Sequence, residues 1–217
     1  MNSGLSRLLS VFAYEFRTEF RNKESISGIL VYALASIFIT WLCFLQSPGT
    51  QAWTGLYWII LLFAATNAAG RSFIRESRGL QLFHYMLFRP GEVILAKSLF
   101  NFLLLFALGL LNLCCFTLMF GGKEGTLNEL LLLTLLGAFG LSAVLTLVSS
   151  IVSKAYGNAS LAAVLGFPLL FPVLLILVKS TLALLEGGQS PNWLMLVALD
   201  ALLLALSYIL FPYLWRE

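Results

Sequence analysis

Long apolar runs alternate with short polar stretches along the whole 217-residue chain. A hydrocarbon core of about 30 Å is crossed by about 20 apolar residues in an α-helix, and six runs approach this length. The pattern therefore predicts an all-α integral membrane protein with six transmembrane helices. The predicted spans are residues 26–45, 53–70, 98–120, 130–153, 161–183 and 193–214.

Composition supports a membrane location for these runs. Hydrophobic residues make up 60% of the chain and charged residues 11%, whereas an ordinary soluble domain has about 25% charged residues. Buried helices of a soluble protein would leave almost no polar surface at this composition. We expect two parts, an N-terminal helix over residues 1–25 on the cytoplasmic face and a six-helix permease-like domain over residues 26–217.

Lys and Arg residues predict the orientation, because they accumulate on the cytoplasmic side of membrane proteins. With the N-terminus inside, eleven of the 13 Lys and Arg residues are cytoplasmic, and only Lys123 and Lys179 are outside. The opposite orientation inverts this ratio. We therefore expect a multi-pass membrane protein with both termini in the cytoplasm.

The first 25 residues have the pattern of an amphipathic helix, which lies in the membrane interface. Its apolar stripe consists of Leu5, Leu8, Leu9, Phe12, Phe16 and Phe20. The charged residues that are candidates for contacts with protein are Glu15, Arg17, Glu19 and Arg21. A plain positively charged anchor is the alternative interpretation.

A charged segment over residues 71–97 interrupts the apolar pattern between spans two and three. Gly79 is a natural helix stop, and residues 80–88 can then form a short helix along the membrane. Such a cytoplasmic coupling helix suits a transporter that is driven by a soluble motor. The candidate ATPase-coupling residues are Arg75, Glu76, Arg78, Gly79, Leu80, Phe83, His84, Leu87 and Arg89. The alternative is an interfacial loop with snorkelling arginines.

Two charged residues fall inside the predicted spans. Asp200 lies about a third of the way into span six, and a carboxylate at mid-membrane costs about 2.5–3.5 kcal/mol. Its side chain is therefore expected to face protein or water, to be protonated, or to pair. Lys179 is the only cation at comparable depth, so a structural Asp200–Lys179 pair is one hypothesis. The other two are a span six that starts later than residue 193 and a substrate or gating contact.

Amides and prolines mark further positions inside the spans. Asn101 and Asn112 in span three can hydrogen-bond across helices, and helix packing is favoured over the lining of a pathway. Pro168 and Pro172 in span five each remove a backbone hydrogen bond, which predicts a kinked helix.

The chain contains no motif for catalysis, for metal binding or for nucleotide binding. The single histidine, His84, excludes a haem or metal site built from two histidines of one chain. Cys43, Cys114 and Cys115 are interpreted as small apolar packing residues. We therefore expect a transporter subunit that is not an enzyme, binds no cofactor directly and uses ATP through a partner.

Motifs spread over nearly the whole chain resemble the CcmB family, the haem exporter protein B of cytochrome c maturation. They are Glu15-Phe-Arg17, Gly55-Leu-Tyr-Trp58, Arg71…Phe73-x-Arg75-Glu76, Leu95-Ala96-Lys97 and the proline-bearing run over residues 166–175. Their order and spacing carry the resemblance. Gly79-Leu-Gln-Leu82 stands where the family usually has a Gly-x-Leu-Glu pattern.

The resemblance implies a permease-like homodimer docked on a cytoplasmic ABC ATPase (CcmA-like). It also implies haem-handling membrane partners (CcmC-like and CcmD-like) and an external haem chaperone (CcmE-like). The expected function is to couple ATP hydrolysis to haem export or to release of the haem-loaded chaperone, with haem as cargo, contact with membrane lipid and no nucleic acid. Two alternatives are an ABC-2-like permease subunit for another substrate, such as a lipid or drug, and a non-transporting scaffold.

Overall fold

Six long helices, and no strand, are found in the described part of the chain. The structure is a computed structural model that describes residues 10, 12–13, 16–17, 23–44, 48–74, 90–121, 126–154, 159–187 and 191–215. Within these ranges, the side chains at 23–26, 69–74, 90, 92, 153–154, 159–163 and 211–215 are not described. The helices are α1 (Lys23–Cys43), α2 (Thr50–Ile74), α3 (Pro90–Phe120), α4 (Leu127–Lys154), α5 (Ala159–Leu185) and α6 (Trp193–Trp215).

Each helix coincides with one predicted apolar run, so the all-α fold is confirmed. Four of them, α3 to α6, are long and apolar enough to cross a membrane, while α1 contains a shorter apolar stretch, Ser27–Cys43. α3 begins well before the predicted span three, at Pro90. Proline is well suited to the first turn of a helix because the N–H that it lacks would have no partner there.

α4 is the central helix of the bundle. It packs against α2, α3, α5 and α6. In its apolar window 72% of the residues are buried, compared with 22–39% for α3, α5 and α6. Large apolar side chains such as Phe167, Phe171 and Leu202 are exposed on the outer helices, as expected of helices that meet lipid.

Contacts between helices show that neighbours in sequence run in opposite directions. Gly91, in the first turn of α3, lies against the ring of Tyr208 near the end of α6. Trp58, near the start of α2, lies against Gly137 in the first half of α4 and hydrogen-bonds to Thr181 near the end of α5. The starts of α2, α4 and α6 therefore share one end of the bundle, and the starts of α3 and α5 share the other.

Glycines end two of the helices. Gly121 follows α3 with φ = 79°, and Gly187 follows α5 with φ = 72°. These left-handed conformations are strained for other residues, so glycine is favoured there. At the start of α4, the carbonyl of Thr126 accepts the N–H of Leu130 at 2.9 Å.

Candidate functional site

The predicted coupling residues lie in the connection between α2 and α3. α2 ends at Ile74 and α3 begins at Pro90, and these two helices pack against each other. The connection therefore joins the ends of two packed helices. All of the candidate coupling residues lie outside the described part of the chain. They are Arg75, Glu76, Arg78, Gly79, Leu80, Phe83, His84, Leu87 and Arg89.

The N-terminal segment contacts α3. The described residues of this segment are helical, and the Phe12 and Phe16 rings lie 6.3 Å apart. Phe16 also meets Phe100 of α3 edge-on, with 6.4 Å between the ring centroids. Arg17 is exposed. The other three predicted contact residues, Glu15, Glu19 and Arg21, lie outside the described residues.

Asp200 is buried between α6 and α4. Its side chain is 2% exposed, and neither carboxylate oxygen has a hydrogen-bond partner among the described residues. It packs on Gly140, where an added Cβ would overlap Oδ1 of Asp200 and lie 3.2 Å from Cγ1 of Val173 on α5. Only glycine leaves room for the carboxylate at this crossing.

The contact with Gly140 places Asp200 against the middle of α4. Gly140 lies midway along the 28-residue α4. At a rise of about 1.5 Å per residue, this point is about 20 Å from either end of α4. The carboxylate therefore lies near the middle of the bundle.

α6 presents one narrow buried stripe to the rest of the bundle. The stripe consists of Leu196, Asp200, Leu203 and Ser207, each at most 4% exposed. Their spacing of four, three and four residues is that of a helix-packing seam. The Ser207 hydroxyl, like the Asp200 carboxylate, has no hydrogen-bond partner among the described residues. Two of the four positions that hold α6 in place are thus polar and unpartnered.

Lys179 is exposed on the surface of α5. Because the Asp200 carboxylate has no partner among the described residues, the hypothetical Asp200–Lys179 pair is not formed. The hypothesis placed the two side chains at comparable depth, but Asp200 points into the bundle and Lys179 points out of it.

The two predicted amides lie in helix contacts. Asn101 donates from Nδ2 to Thr146 Oγ1 at 2.9 Å, which joins α3 to α4. Asn112 donates to the backbone carbonyl of Tyr57 at 3.1 Å, which joins α3 to α2. Asn101 and Asn112 are at most 2% exposed. These bonds agree with the packing role that the sequence favoured.

A pair of hydrogen-bonded aromatic residues joins α2 to α4 and α5, and the sequence pattern did not predict this pair. The hydroxyl oxygens of Tyr57 and Thr134 lie 2.7 Å apart. Thr134 donates its single proton to the carbonyl of Leu130 at 2.7 Å, and the Tyr57 hydroxyl lies closer to Thr134 than to its other acceptor, the carbonyl of Gly109 at 3.4 Å. These distances favour Tyr57 as the donor to Thr134. Trp58 donates from Nε1 to Thr181 Oγ1 at 3.0 Å. Tyr57 and Trp58 are at most 2% exposed.

Two further rings complete this contact. Trp53 stacks on Tyr57 with 5.3 Å between ring centroids, and Phe116 of α3 meets these two rings edge-on at 5.4 and 5.7 Å. An added Cβ on Gly137 would lie 2.6 Å from the Trp58 ring. We call Trp53, Tyr57, Trp58 and Phe116 the aromatic cluster. The sequence signals for it are the aromatic run over residues 53–58 and the glycine at 137.

The two prolines lie inside one continuous helix. Pro168 and Pro172 are within α5, which runs from Ala159 to Leu185. The predicted kink stays a prediction.

No group of three His, Cys, Asp or Glu side chains that could hold a metal ion occurs in the described ranges. Cys43, Cys114 and Cys115 are free thiols, and Cys43 and Cys114 are exposed on their helices. The buried ionisable side chains of the described bundle include the Asp200 carboxylate and the Lys97 amine.

Comparison with known families identifies the family of this chain. A family model described as CcmB protein matches residues 6–214, which is nearly the whole chain. The chain belongs to the CcmB family. Among curated proteins, none matches it.

Membership of the CcmB family agrees with the resemblance found in the sequence motifs. The family consists of membrane transporter subunits of haem export in cytochrome c maturation, and it is not a family of catalytic enzymes. Together with the four long apolar helices, this makes the chain a multi-pass membrane protein. Asp200, Gly140 and the aromatic cluster are therefore parts of a transporter subunit.

Proposed function

We propose that this chain is the permease-like membrane subunit of an ABC-type complex in cytochrome c maturation. In this role it couples ATP hydrolysis by a partner ATPase to haem export or to release of a haem-loaded chaperone. The observation that carries the proposal is the CcmB family match over residues 6–214. The bundle is compatible with it, because four of its helices are long and apolar enough to cross a membrane.

The proposed topology has six transmembrane helices in a bacterial inner membrane, with both termini in the cytoplasm. It is supported by the six helices and by the distribution of Lys and Arg residues along the sequence. The end of the bundle at which α3 and α5 begin is then cytoplasmic. Residues 75–89 belong to that end, because α2 ends and α3 begins there.

α3 is the proposed route by which a displacement at the ATPase reaches the membrane. It begins directly after the candidate coupling residues. Its first turn contacts α6 through Gly91 and Tyr208, and its first half is hydrogen-bonded to α4 through Asn101 and Thr146. A movement of the start of α3 therefore changes contacts with the central helix and with the last helix. The contact of Phe16 with α3 adds the N-terminal segment to this route.

The proposed partners follow from the family. They are a CcmA-like cytoplasmic ATPase, CcmC-like and CcmD-like membrane proteins and a second copy of this chain, with surrounding lipid. ATP acts through the ATPase, and haem is the proposed cargo. The charged residues of the connection that we propose for ATPase contact are Glu76, Arg78 and Arg89.

Co-purification with the ATPase tests the coupling residues. Glu76→Lys, Arg78→Glu and Arg89→Glu, and separately a deletion of residues 80–88, are expected to remove the ATPase from the purified complex. Glu129→Lys is the matched control, since Glu129 is exposed at the other end of the bundle. If the ATPase stays bound to both the reversed and the deleted chain, this connection is not the coupling site.

Haem loading of the external chaperone tests the function. We expect holo-chaperone release and mature cytochrome c to disappear without this chain, and also when the partner ATPase cannot hydrolyse ATP. Normal cytochrome c maturation with the hydrolysis-dead ATPase would contradict coupling and would favour the scaffold. Normal maturation without this chain would favour a permease for another substrate.

A further inference from the structure

A buried acid, Asp200, lies at the crossing of α4 and α6. Asp200 is 2% exposed and has no hydrogen-bond partner for either oxygen among the described residues. Gly140 and Val173 enclose it from α4 and α5. An ionised carboxylate without hydrogen bonds or a counter-charge is strongly disfavoured in such surroundings.

Charged and titratable groups occur on every helix packed against α6, which are α3, α4 and α5. Their ionisable residues are Glu92, Lys97, Cys114 and Cys115 on α3, Glu129 and Lys154 on α4, and Lys179 on α5, with Tyr208 and Tyr213 on α6 itself. Glu129 and Lys179 are exposed, and Glu92 and Lys154 lie near the ends of their helices. Lys97 is buried, but it does not hydrogen-bond to Asp200.

We propose that Asp200 is a proton-binding site, which holds a proton while α6 is packed on α4 and releases it when this packing opens. A neutral carboxyl group is tolerated in the closed crossing, where a carboxylate is not. The ionised form needs water or a polar partner, so it favours an arrangement in which the carboxyl group is no longer enclosed by Gly140 and Val173. Opening of the crossing and loss of the proton are therefore linked.

A proton fits this site better than a metal ion does. Hard cations take six or more oxygen ligands, and even a transition metal takes several ligands from side chains. No cluster of three ligating residues occurs in the described ranges. The nearest unpartnered polar position on the same stripe, Ser207, is two helical turns away from Asp200. One carboxyl group enclosed by glycine and valine can bind a proton and little else.

Proton binding at Asp200 is a property of this chain alone and does not depend on what the complex transports. It adds a ligand, the proton, and a movable contact, α4–α6, to a subunit whose energy input is proposed to come from ATP. A failure of haem loading in the experiments above would leave it unaffected.

Asp200 is the only aspartate in the chain, which permits a single-site measurement. The full chain is made by cell-free synthesis with aspartate carrying carbon-13 at the side-chain carboxyl carbon, and is then placed in lipid. We expect one carboxyl resonance, at the position of a protonated acid at neutral pH. A resonance at the carboxylate position at neutral pH would overturn the proposal.

A separate measurement tests the link between loss of the Asp200 proton and opening of the α4–α6 crossing. Hydrogen exchange of the α6 amides is measured as pH rises, in the wild type and in Asp200→Asn, after correction for the intrinsic pH dependence of exchange. We expect exchange around residue 200 to increase in the wild type at the pH where the carboxyl resonance shifts, and to stay flat in the variant, which cannot ionise. An equal increase in both proteins would refute the link. Glu129→Gln, which changes an exposed acid, is expected to behave like the wild type.

Discussion

Two buried contacts of α4 differ in how their polar groups are satisfied, although Thr54 Oγ1 on α2 also has no hydrogen-bond partner among the described residues. On the side of α2 and α5, Tyr57 and Trp58 each have a hydrogen-bond partner on another helix, Thr134 and Thr181. On the side of α6, Asp200 has none among the described residues. A satisfied polar contact favours one arrangement, whereas an unsatisfied one gains partners when it opens. We infer that α2, α4 and α5 move as one body and that α6 can change its packing on them.

Glycines serve opposite purposes on these two sides. Gly137 lets the Trp58 ring approach the backbone of α4 closely, and the contact is then held by the indole hydrogen bond. Gly140, three residues later, makes room for a carboxylate that is not held by any hydrogen bond among the described residues. Close approach of a side chain to a glycine therefore does not by itself fix the packing of two helices. The hydrogen bonds around the contact fix it.

The largest effect is expected from Gly137→Ala. The new methyl group would lie 2.6 Å from the rigid Trp58 ring, and overpacking of this kind costs about 1–3 kcal/mol in the free energy of unfolding. This is measured in mixed micelles with increasing sodium dodecyl sulfate.

Two further variants serve as references for the loss of unfolding free energy in Gly137→Ala. Gly166→Ala is the matched control, since its nearest neighbouring atoms are 3.8 Å from the added Cβ. In a Trp58→Phe background, which removes the far end of the indole, Gly137→Ala is expected to cost less. Equal losses for Gly137→Ala and Gly166→Ala would mean that the α2 side of α4 is not tightly fixed.

A second, smaller effect is expected from the hydrogen bond between Tyr57 and Thr134. Tyr57→Phe and Thr134→Val should each lower the free energy of unfolding by about 1 kcal/mol, since each removes a buried interhelical hydrogen bond. A double-mutant cycle should show that the two losses are coupled. Thr117→Val serves as the control, because Thr117 donates only to carbonyls of its own helix. Fully additive losses would argue against the bond.

A third variant, Asn101→Ala, addresses the joint between α3 and α4. It removes the 2.9 Å bond to Thr146 and should cost about 0.6 kcal/mol, the average for hydrogen bonds between transmembrane helices. Asn67→Ala is the control, since exposed Asn67 bonds within α2 to Phe63. If Asn101→Ala also leaves ATPase stimulation by the assembled complex unchanged, α3 does not pass motion to α4 through this bond.

The smallest effect is expected from Asp200→Asn at neutral pH. If Asp200 is a neutral acid, an amide of the same shape should change the free energy of unfolding by less than about 0.5 kcal/mol. An ionised Asp200 predicts a different result, because removal of a mid-membrane charge should then stabilise the protein by about 2.5–3.5 kcal/mol. At higher pH the wild type should become less stable than the variant. A marked stabilisation already at neutral pH would contradict the protonated state.

Local sequence signals were sufficient to predict the helices. Runs of about 20 apolar residues can satisfy their backbone only as helices in a membrane, and each of α1 to α6 coincides with such a run. α3 begins before the predicted span three. Residues 90–97 are mixed in character, and Pro90 can begin a helix as easily as it can end one.

The packing contacts could not be predicted in the same way. Tyr57 and Thr134 are 77 residues apart in the sequence, and Trp58 and Thr181 are 123 residues apart. Which faces of two helices meet depends on the whole bundle, and one sequence does not contain that information in any local pattern. The contact of Asp200 with Gly140 could not be predicted for the same reason, since it depends on how α6 packs on another helix.

The most direct test of the difference between the two sides of α4 is hydrogen exchange in the assembled complex with and without ATP. Peptides covering residues 196–203 of α6 and residues 53–61 of α2 are compared in one sample. We predict that ATP changes exchange in the α6 peptide and leaves the α2 peptide unchanged. A change in α2 as large as that in α6, or no change in α6, would contradict the assignment of α6 as the helix that moves.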